Sequence, residues 1–275
     1  MSNDRMVAEM GVVRSHTDRP FGVDLLPAAP GDMSAQVDLI IEGGATVFAA
    51  GLGVPTDVVD KCHDAGILVV NICGKVRHAI AAVEAGCDVV VAQGTEAGGH
   101  TGRIATMALV PQVVDAVGDR VPVVAAGGIV DGRGLAAAIS LGADGVWVGT
   151  RFIATPEAYG VQGYKDKLLA AAEDSTTISR AYTGKTCRVL ANEYTRHFDE
   201  HPDDLARFPE QFLRSMNDGV NHLGLGPDAE GVTIDREFLP AGQGVGSIDE
   251  LVGAAELVAR FVSDAETVLR RASTL

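Results

Sequence analysis

VVVAQGTEAGGHTG, residues 89–102, decides how the rest of the chain is read. Its β-branched run, Val89 to Val91, has the pattern of a buried strand and breaks off at a glycine-rich turn. That turn delivers Gln93, Glu96 and His100 within a few residues of one another. Gly94, Gly98, Gly99 and Gly102 let the backbone approach a ligand closely or take positive φ, a freedom that a plain connector rarely needs so densely. VPVVAAGGI (121–129) and DGVWVGTRF (144–152) repeat the order of apolar strand and glycine-rich exit. Three such exits from one sheet predict one shared site.

Outward from that stretch, strand and helix patterns alternate every 20 to 30 residues or so, the signature of βα units and a parallel sheet. PFGVDLL (20–26), TVFAAGLG (46–53) and ILVVNIC (67–73) read as strands. MSAQVDLIIEGG (33–44), VPTDVVDKCHDAG (54–66), GKVRHAIAAVEAG (74–86) and RGLAAAISLG (133–142) read as helices. IATMALVPQVVDAVGDR (104–120) reads as a helix bent or started at Pro111. PAAPGD (27–32) is a turn-rich link, and VAEMGVV (7–13) reads as a helix end broken by TDRP. Six strands of this kind lie between Phe21 and Phe152, and a TIM-type (β/α) barrel needs eight. The expectation is an α/β barrel lacking its first two strands, occupying 1–154. From 155 to 275 the alternation stops, and a helical appendage ending in a long helix is expected there, packed on the barrel mouth.

Composition narrows the function. With 47% hydrophobic residues in 275, the chain can bury a large core. A formal net charge of -15 repels nucleic acid and anionic membranes at long range, so neither is expected as a partner. Cys62, Cys73, Cys87 and Cys187 form no CxxC pair and read as reduced thiols. The first residues lack a signal-peptide layout, and no apolar run is long enough to cross a bilayer, so a cytoplasmic location is expected.

The exits then suggest chemistry. Gly127 and Gly128 precede a helix, and Gly149 and Thr150 close the last strand, an arrangement that suits a phosphate cradle of free backbone N–H groups. His100, neutral at pH 7, is placed to abstract a proton or donate to a developing anion, or it caps a turn. Gln93 offers both donor and acceptors to a heterocycle edge, or it pins its loop. Glu96 is expected to hold loop N–H groups. Lys75 and Arg77 are read as solvated, and His197, Asp199, Glu200 and His201 as a charged turn before Pro202. AGQGVG (241–246) lacks the glycine spacing of a dinucleotide fingerprint.

QGTEAGGHTG, PVVAAGGIVDGRGLAAAISLGADGVWVGTRF, TDRPFGVDL and AGQGVGSI together resemble the nitronate monooxygenases, FMN-dependent barrels that oxidise alkyl nitronates with O2. The FMN-dependent enoyl-acyl-carrier-protein reductases share much of the same pattern. The resemblance implies that His100 is the catalytic base towards a nitroalkane. It implies that Gln93 and Gly98 contact the flavin, and that Gly127 and Gly128, with Trp147, Val148, Gly149 and Thr150, hold its phosphate. The resemblance also implies that Asp24 lies beside the flavin, where the family usually has asparagine, and a carboxylate there would disfavour a reduced, anionic flavin unless protonated. The small-molecule partners implied are a nitronate or another small apolar substrate, and O2. Family members open with two strands that this chain does not show. An open barrel is expected to bind flavin weakly or to lean on a partner chain, such as a second copy in a homo-oligomer. Two rival expectations share the scaffold: an NAD(P)H-dependent flavin reductase of quinones or enoyl thioesters, and a non-catalytic truncated relative.

Overall fold

A computed structural model describes residues 2–25, 32–222 and 226–274. All but Asp32 of the link expected at 27–32 lies outside the described residues.

The chain opens with α1 (Asn3–His16), capped by the Ser2 hydroxyl, and then alternates. In order come β1 (Gly22–Leu25), α2 (Met33–Glu42), β2 (Val47–Ala50), α3 (Val59–Asp64), β3 (Leu68–Cys73), α4 (Val76–Glu84), β4 (Val89–Gln93), β5 (Gly99–His100), α5 (Thr106–Val117), β6 (Val123–Ala126), α6 (Gly132–Ser140) and β7 (Gly145–Trp147). Local chemistry sets the helix starts: Asp32 accepts from Ser34 N and Ala35 N, and Asp131 from Arg133 N and Gly134 N. Both satisfy N–H groups that a helix leaves orphaned.

Six strands form one parallel sheet in the order β1-β2-β3-β4-β6-β7. This is the α/β architecture and the strand count expected from the sequence. Alternation along each strand separates two faces. Val23, Phe48, Val69, Val90 and Val123 pack outward with the helices. Val47, Ala49, Val70, Ile72, Val89, Val91, Val124 and Ala126 form a smaller inner cluster. Because Val23 and Leu25 go to the outer core, Asp24 falls on the inner face, paired in register with Ala49. By the same logic Trp147, opposite Ala126, falls on the inner face at the other end of the sheet.

Three expectations are corrected. VAEMGVV is no helix end but the middle of α1, where Met6 and Met10 are the buried residues; so thin a buried stripe carries little periodicity. In DGVWVGTRF, expected as a strand and a glycine-rich exit, β7 stops at Trp147, where its pairing with β6 ends, and α7 (Thr150–Ile153) takes up most of the exit. The helix at 104–120 does not start at Pro111. It runs from Thr106 to Val117 with the proline inside.

Beyond 155 the chain contributes strands as well as helices. α8 (Gln162–Leu169) is followed by β8 (Thr176–Ser179), β9 (Cys187–Leu190), α9 (Glu193–Glu200), α10 (Glu210–Asn217) and α11 (Ala254–Ala272). β8 and β9 form an antiparallel hairpin that pairs through β9 with β5, so the carboxy-terminal segment is stitched to the loop after β4. Behind the hairpin, Tyr182 stacks on Tyr194 and Phe238 at 5.0 and 4.6 Å between ring centroids. α11 lies against α6, with Phe261 and Leu257 buried.

Candidate active site

The loop from Gly94 to Gly102 is held by groups that the sequence placed in it. Glu96 Oε2 accepts from Thr106 N at 2.8 Å and from Thr106 Oγ1 at 2.7 Å, the supporting role expected of it. Thr106 Oγ1 also lies 3.0 Å from the Gly127 carbonyl, and Gly94 N donates to Ala126 O at 2.9 Å. The exits of β4 and β6 are thereby one unit. AGQGVG, dismissed as a fingerprint, turns out to be the clasp over them. Gln243 N donates to Glu96 O at 2.8 Å, and Gly242 N donates to Thr150 Oγ1 at 2.8 Å, which brings in the exit of β7. Gly98 is required where the clasp crosses: a Cβ there would lie 2.7 Å from Gly242 N.

β5 orders His100 by pairing it with Cys187. Its Nε2 sits 3.1 Å from the Oγ1 of Thr183, a hydroxyl only 3% exposed. Thr183 Oγ1 accepts from Lys185 N and lies 3.2 Å from Lys185 O. Burial first, and then the Lys185 ammonium, hold the His100 imidazole below its ordinary pKa. His100, Gln93 and Gly98 line a cavity of about 720 Å³ together with Lys75, Arg180 and Lys185. Lys75, expected to be merely solvated, is part of this wall. Thr183 and the two hairpin cations were not legible: they lie 80 or more residues from His100, in a stretch whose turn and strand signals are mixed.

The remaining expected site residues do not share that cavity. Gly127 (φ 109°) and Gly128 (φ 74°) line a separate space of about 340 Å³ beside α5 and α6. Val148 and Gly149 line a third, about 620 Å³, walled by Tyr164, His222 and Glu237. There Glu237, 3% exposed, accepts from His222 N at 2.7 Å and meets His222 Nδ1 at 2.8 Å. Asp24 and Trp147 stand on the two end strands. The single shared site expected from three exits is thus three openings around one clasp.

A phosphate cradle nonetheless fits the backbone. Gly128 and Gly149 are exposed, Gly128 holds a φ that favours glycine, and a Cβ on Gly149 would enter open space. Asp24 is exposed at the sheet's end, yet burial of its carboxyl among the surrounding chain raises its pKa to about 6.

Residues 28–264 match the family described as Nitronate monooxygenase. The chain belongs to the nitronate monooxygenase family. It thereby joins a family of oxidoreductases. Among curated relatives it is 40% identical over 87% of its length to Rv1533 of Mycobacterium tuberculosis, named for monooxygenase activity, and the match spans 64% of that protein. It is 33% identical over its whole length to the M. tuberculosis (3aS,4S,5R,7aS)-5-hydroxy-7a-methyl-1-oxo-octahydro-1H-indene-4-carboxyl-CoA dehydrogenase, 86% of which is covered. Two solved structures share the fold over 85% or more of their own length. They are FabK from Thermotoga maritima (TM-score 0.88, 30% identity) and a nitroalkane oxidase from Streptomyces ansochromogenes (TM-score 0.83, 29% identity). Those likenesses identify the six-stranded sheet as part of a TIM-type barrel. Among the described residues no helix is long and apolar enough to cross a membrane.

Proposed function

We propose that this member of the nitronate monooxygenase family oxidises alkyl nitronates with O2, giving a carbonyl compound and nitrite, and that it uses FMN. The observation that carries the reading is His100, half-buried on the wall of a cavity and held by a buried hydroxyl within a chain matching the family over 28–264. When bound, FMN supplies the electron acceptor and the reaction with O2 that amino-acid side chains lack. The backbone at Gly127, Gly128, Trp147, Val148, Gly149 and Thr150 would hold its phosphate, and Gln93, Gly98 and Asp24 would border the ring.

The chain's own chemistry centres on one proton. The Thr183 hydroxyl has a single hydrogen, and directing it to Lys185 O leaves a lone pair facing His100, so Nε2 carries the imidazole proton. Nδ1 is then the basic nitrogen. From a neutral nitroalkane it takes the α-carbon proton. Towards a nitronate, which arrives deprotonated, the same ring serves as neighbour and the Lys185 ammonium supplies the attracting charge. The lowered pKa keeps the ring neutral, and so available, at pH 7.

The test is turnover of the FMN-supplemented protein with ethylnitronate, reading O2 uptake and nitrite release. Nitrite formed in step with O2 supports the reading; flavin that bleaches with NADH but not with ethylnitronate sinks it. That second outcome would favour a reductase of enoyl thioesters or quinones, a reading supported by the cationic wall of the His100 cavity and by the CoA-linked dehydrogenase among the relatives. A protein that stays colourless after FMN addition would mark a non-catalytic relative.

A further inference from the structure

Among the described residues one non-glycine side chain sits on a left-handed backbone, and it stands on the wall of the His100 cavity. Leu52, in the exit of β2, has φ 62°, an outlying conformation for so bulky a residue. Gly51 and Gly53 flank it, so the turn places leucine at the one position where glycine would relieve the strain. Core packing does not explain the choice. Leu52 is 42% exposed and joins none of the hydrophobic clusters.

One buried amide holds that turn. Asn71 of β3, 1% exposed and in register with Ala50, donates through Nδ2 to Ala50 O at 3.1 Å and to Gly53 O at 2.7 Å. The two carbonyls bracket Leu52 along the chain, so the amide fixes the backbone between them. Asn71 is fixed in its turn, because the Cys73 thiol donates to its Oδ1 at 3.2 Å, and burial pushes that thiol up to about 12, which keeps its proton in place. Backbone strain persists only where the surroundings over-determine it, and such residues gather at ligand sites.

What the turn presents is apolar surface in a polar cavity. Leu52, Val54 and Ile72 are the large aliphatic side chains lining the space. Val54 packs on the outer core and Ile72 on the inner cluster, which leaves the Leu52 side chain uncommitted. We propose that Leu52, locked at its strained angle by Asn71, selects the length of alkyl chain that the site accepts, covering the tail of a linear nitronate whose charged end lies towards His100. The proposal deepens the reaction proposed above and rests on it for the identity of the substrate. A methylene fully covered in this way is worth about four-fold in affinity. Asn71 is a positioning residue, acting only through the turn.

Linear alkyl carboxylates share the planar two-oxygen anion of a nitronate and are not oxidised in its place, so titration calorimetry of the full chain with propionate through octanoate reads the tail apart from the chemistry. Affinity is expected to climb by about two- to four-fold per methylene until the tail passes Leu52, and then to level off. Leu52→Ala should weaken hexanoate by roughly ten-fold and leave propionate unchanged. Leu52→Gly should do the same with a melt no lower than the parent's, since glycine relieves the angle as the side chain is lost. Asn71→Ala should reproduce the chain-length profile of Leu52→Ala, and the double variant should lose no more than either alone. A profile identical to the parent's in Leu52→Ala or in Asn71→Ala overturns the proposal. Equal losses for propionate and hexanoate in both Leu52 variants also overturn it, as does the failure of every carboxylate to bind at about 10 mM. The same series measured as kcat/KM for ethyl- to hexylnitronate separates the two readings. A carboxylate profile that shifts with Leu52 in a protein inert towards every nitronate sinks the proposed reaction and keeps the selector; nitronate turnover with an unshifted profile does the reverse.

Discussion

The neighbours of His100 hold its ring in place. Removing the imidazole in His100→Ala should lower kcat for a neutral nitroalkane by roughly 10²- to 10⁴-fold. Turnover of a preformed nitronate, which needs no base, should fall far less; equal losses on both would refute the base role. The pH dependence follows from the direction of the shift. Because the imidazole is held below its ordinary 6.5, the acid limb of kcat/KM for the nitroalkane should lie below pH 6.5. Thr183→Val, which removes the hydroxyl that orients the ring, should move that limb, and Thr183→Ser should restore it. Asp24 shifts the opposite way. With its pKa raised from 3.8 to about 6, the folded chain binds that proton more tightly than the unfolded one. Its contribution is therefore present at low pH and lost as pH rises through 3.8 to about 6. The residue is exposed, so solvent screening limits the effect to about 1 kcal/mol. Asp24→Asn should raise Tm by roughly 2–4 °C at pH 7.5 and leave it unchanged at pH 3.5.

At the level of elements, two close crossings decide whether the site is assembled. A Cβ on Gly98 would lie 2.7 Å from Gly242 N and 2.8 Å from Ala241 C, both backbone. Gly98→Ala should push the 241–244 clasp off the β4 exit, destabilise the fold by about 1–3 kcal/mol in urea unfolding, and weaken FMN binding. An unchanged melt and flavin affinity would show that the clasp does not brace the site. α11 meets α6 as tightly: a Cβ on Gly132 would lie 2.6 Å from both Ala265 N and Phe261 O. Phe261→Ala, truncating a ring only 6% exposed, should cost about 3–5 kcal/mol of stability. The hairpin of β8 and β9 is the third such element, since without it β5 has no pairing partner and His100 no Thr183.

Across the whole molecule, the sheet ends in two short strands, β1 of four residues and β7 of three, with Asp24 and Trp147 on their inner faces. Short ends and an inward charge are features that discourage sheet-to-sheet pairing between molecules. They also leave the inner cluster less covered than the outer core, and the loops above it are braced by the clasp and the hairpin. A ligand that bridges those loops should stabilise the whole. If FMN is that ligand, at a hundred times its Kd it should add about 2.7 kcal/mol, a rise in Tm of roughly 5–10 °C. Differential scanning fluorimetry with and without FMN checks this, and an unmoved melt counts against flavin binding.

Alternation of apolar strands with helices, read with no structure, determined the parallel α/β sheet and its six strands, because periods of two and of 3.6 residues are written along the chain itself. The glycine-rich exits and His100 were legible for the same reason: turn geometry demands glycine locally, and the resemblance to the family lay in contiguous motifs. What surrounds His100 was decided only in three dimensions. Thr183 reaches it, and Arg180 and Lys185 reach its cavity, through antiparallel pairing of β9 with two residues of β5, a contact too short to leave a pattern and too distant in sequence to be read from spacing. The clasp at 241–244 was hidden likewise, its glycines being required by crossings of Gly242 with Gly98 and of Gly244 with Gly128 and not by any local turn. The division of the three exits among separate cavities depends on which loops that clasp separates, and only packing between distant segments determines that.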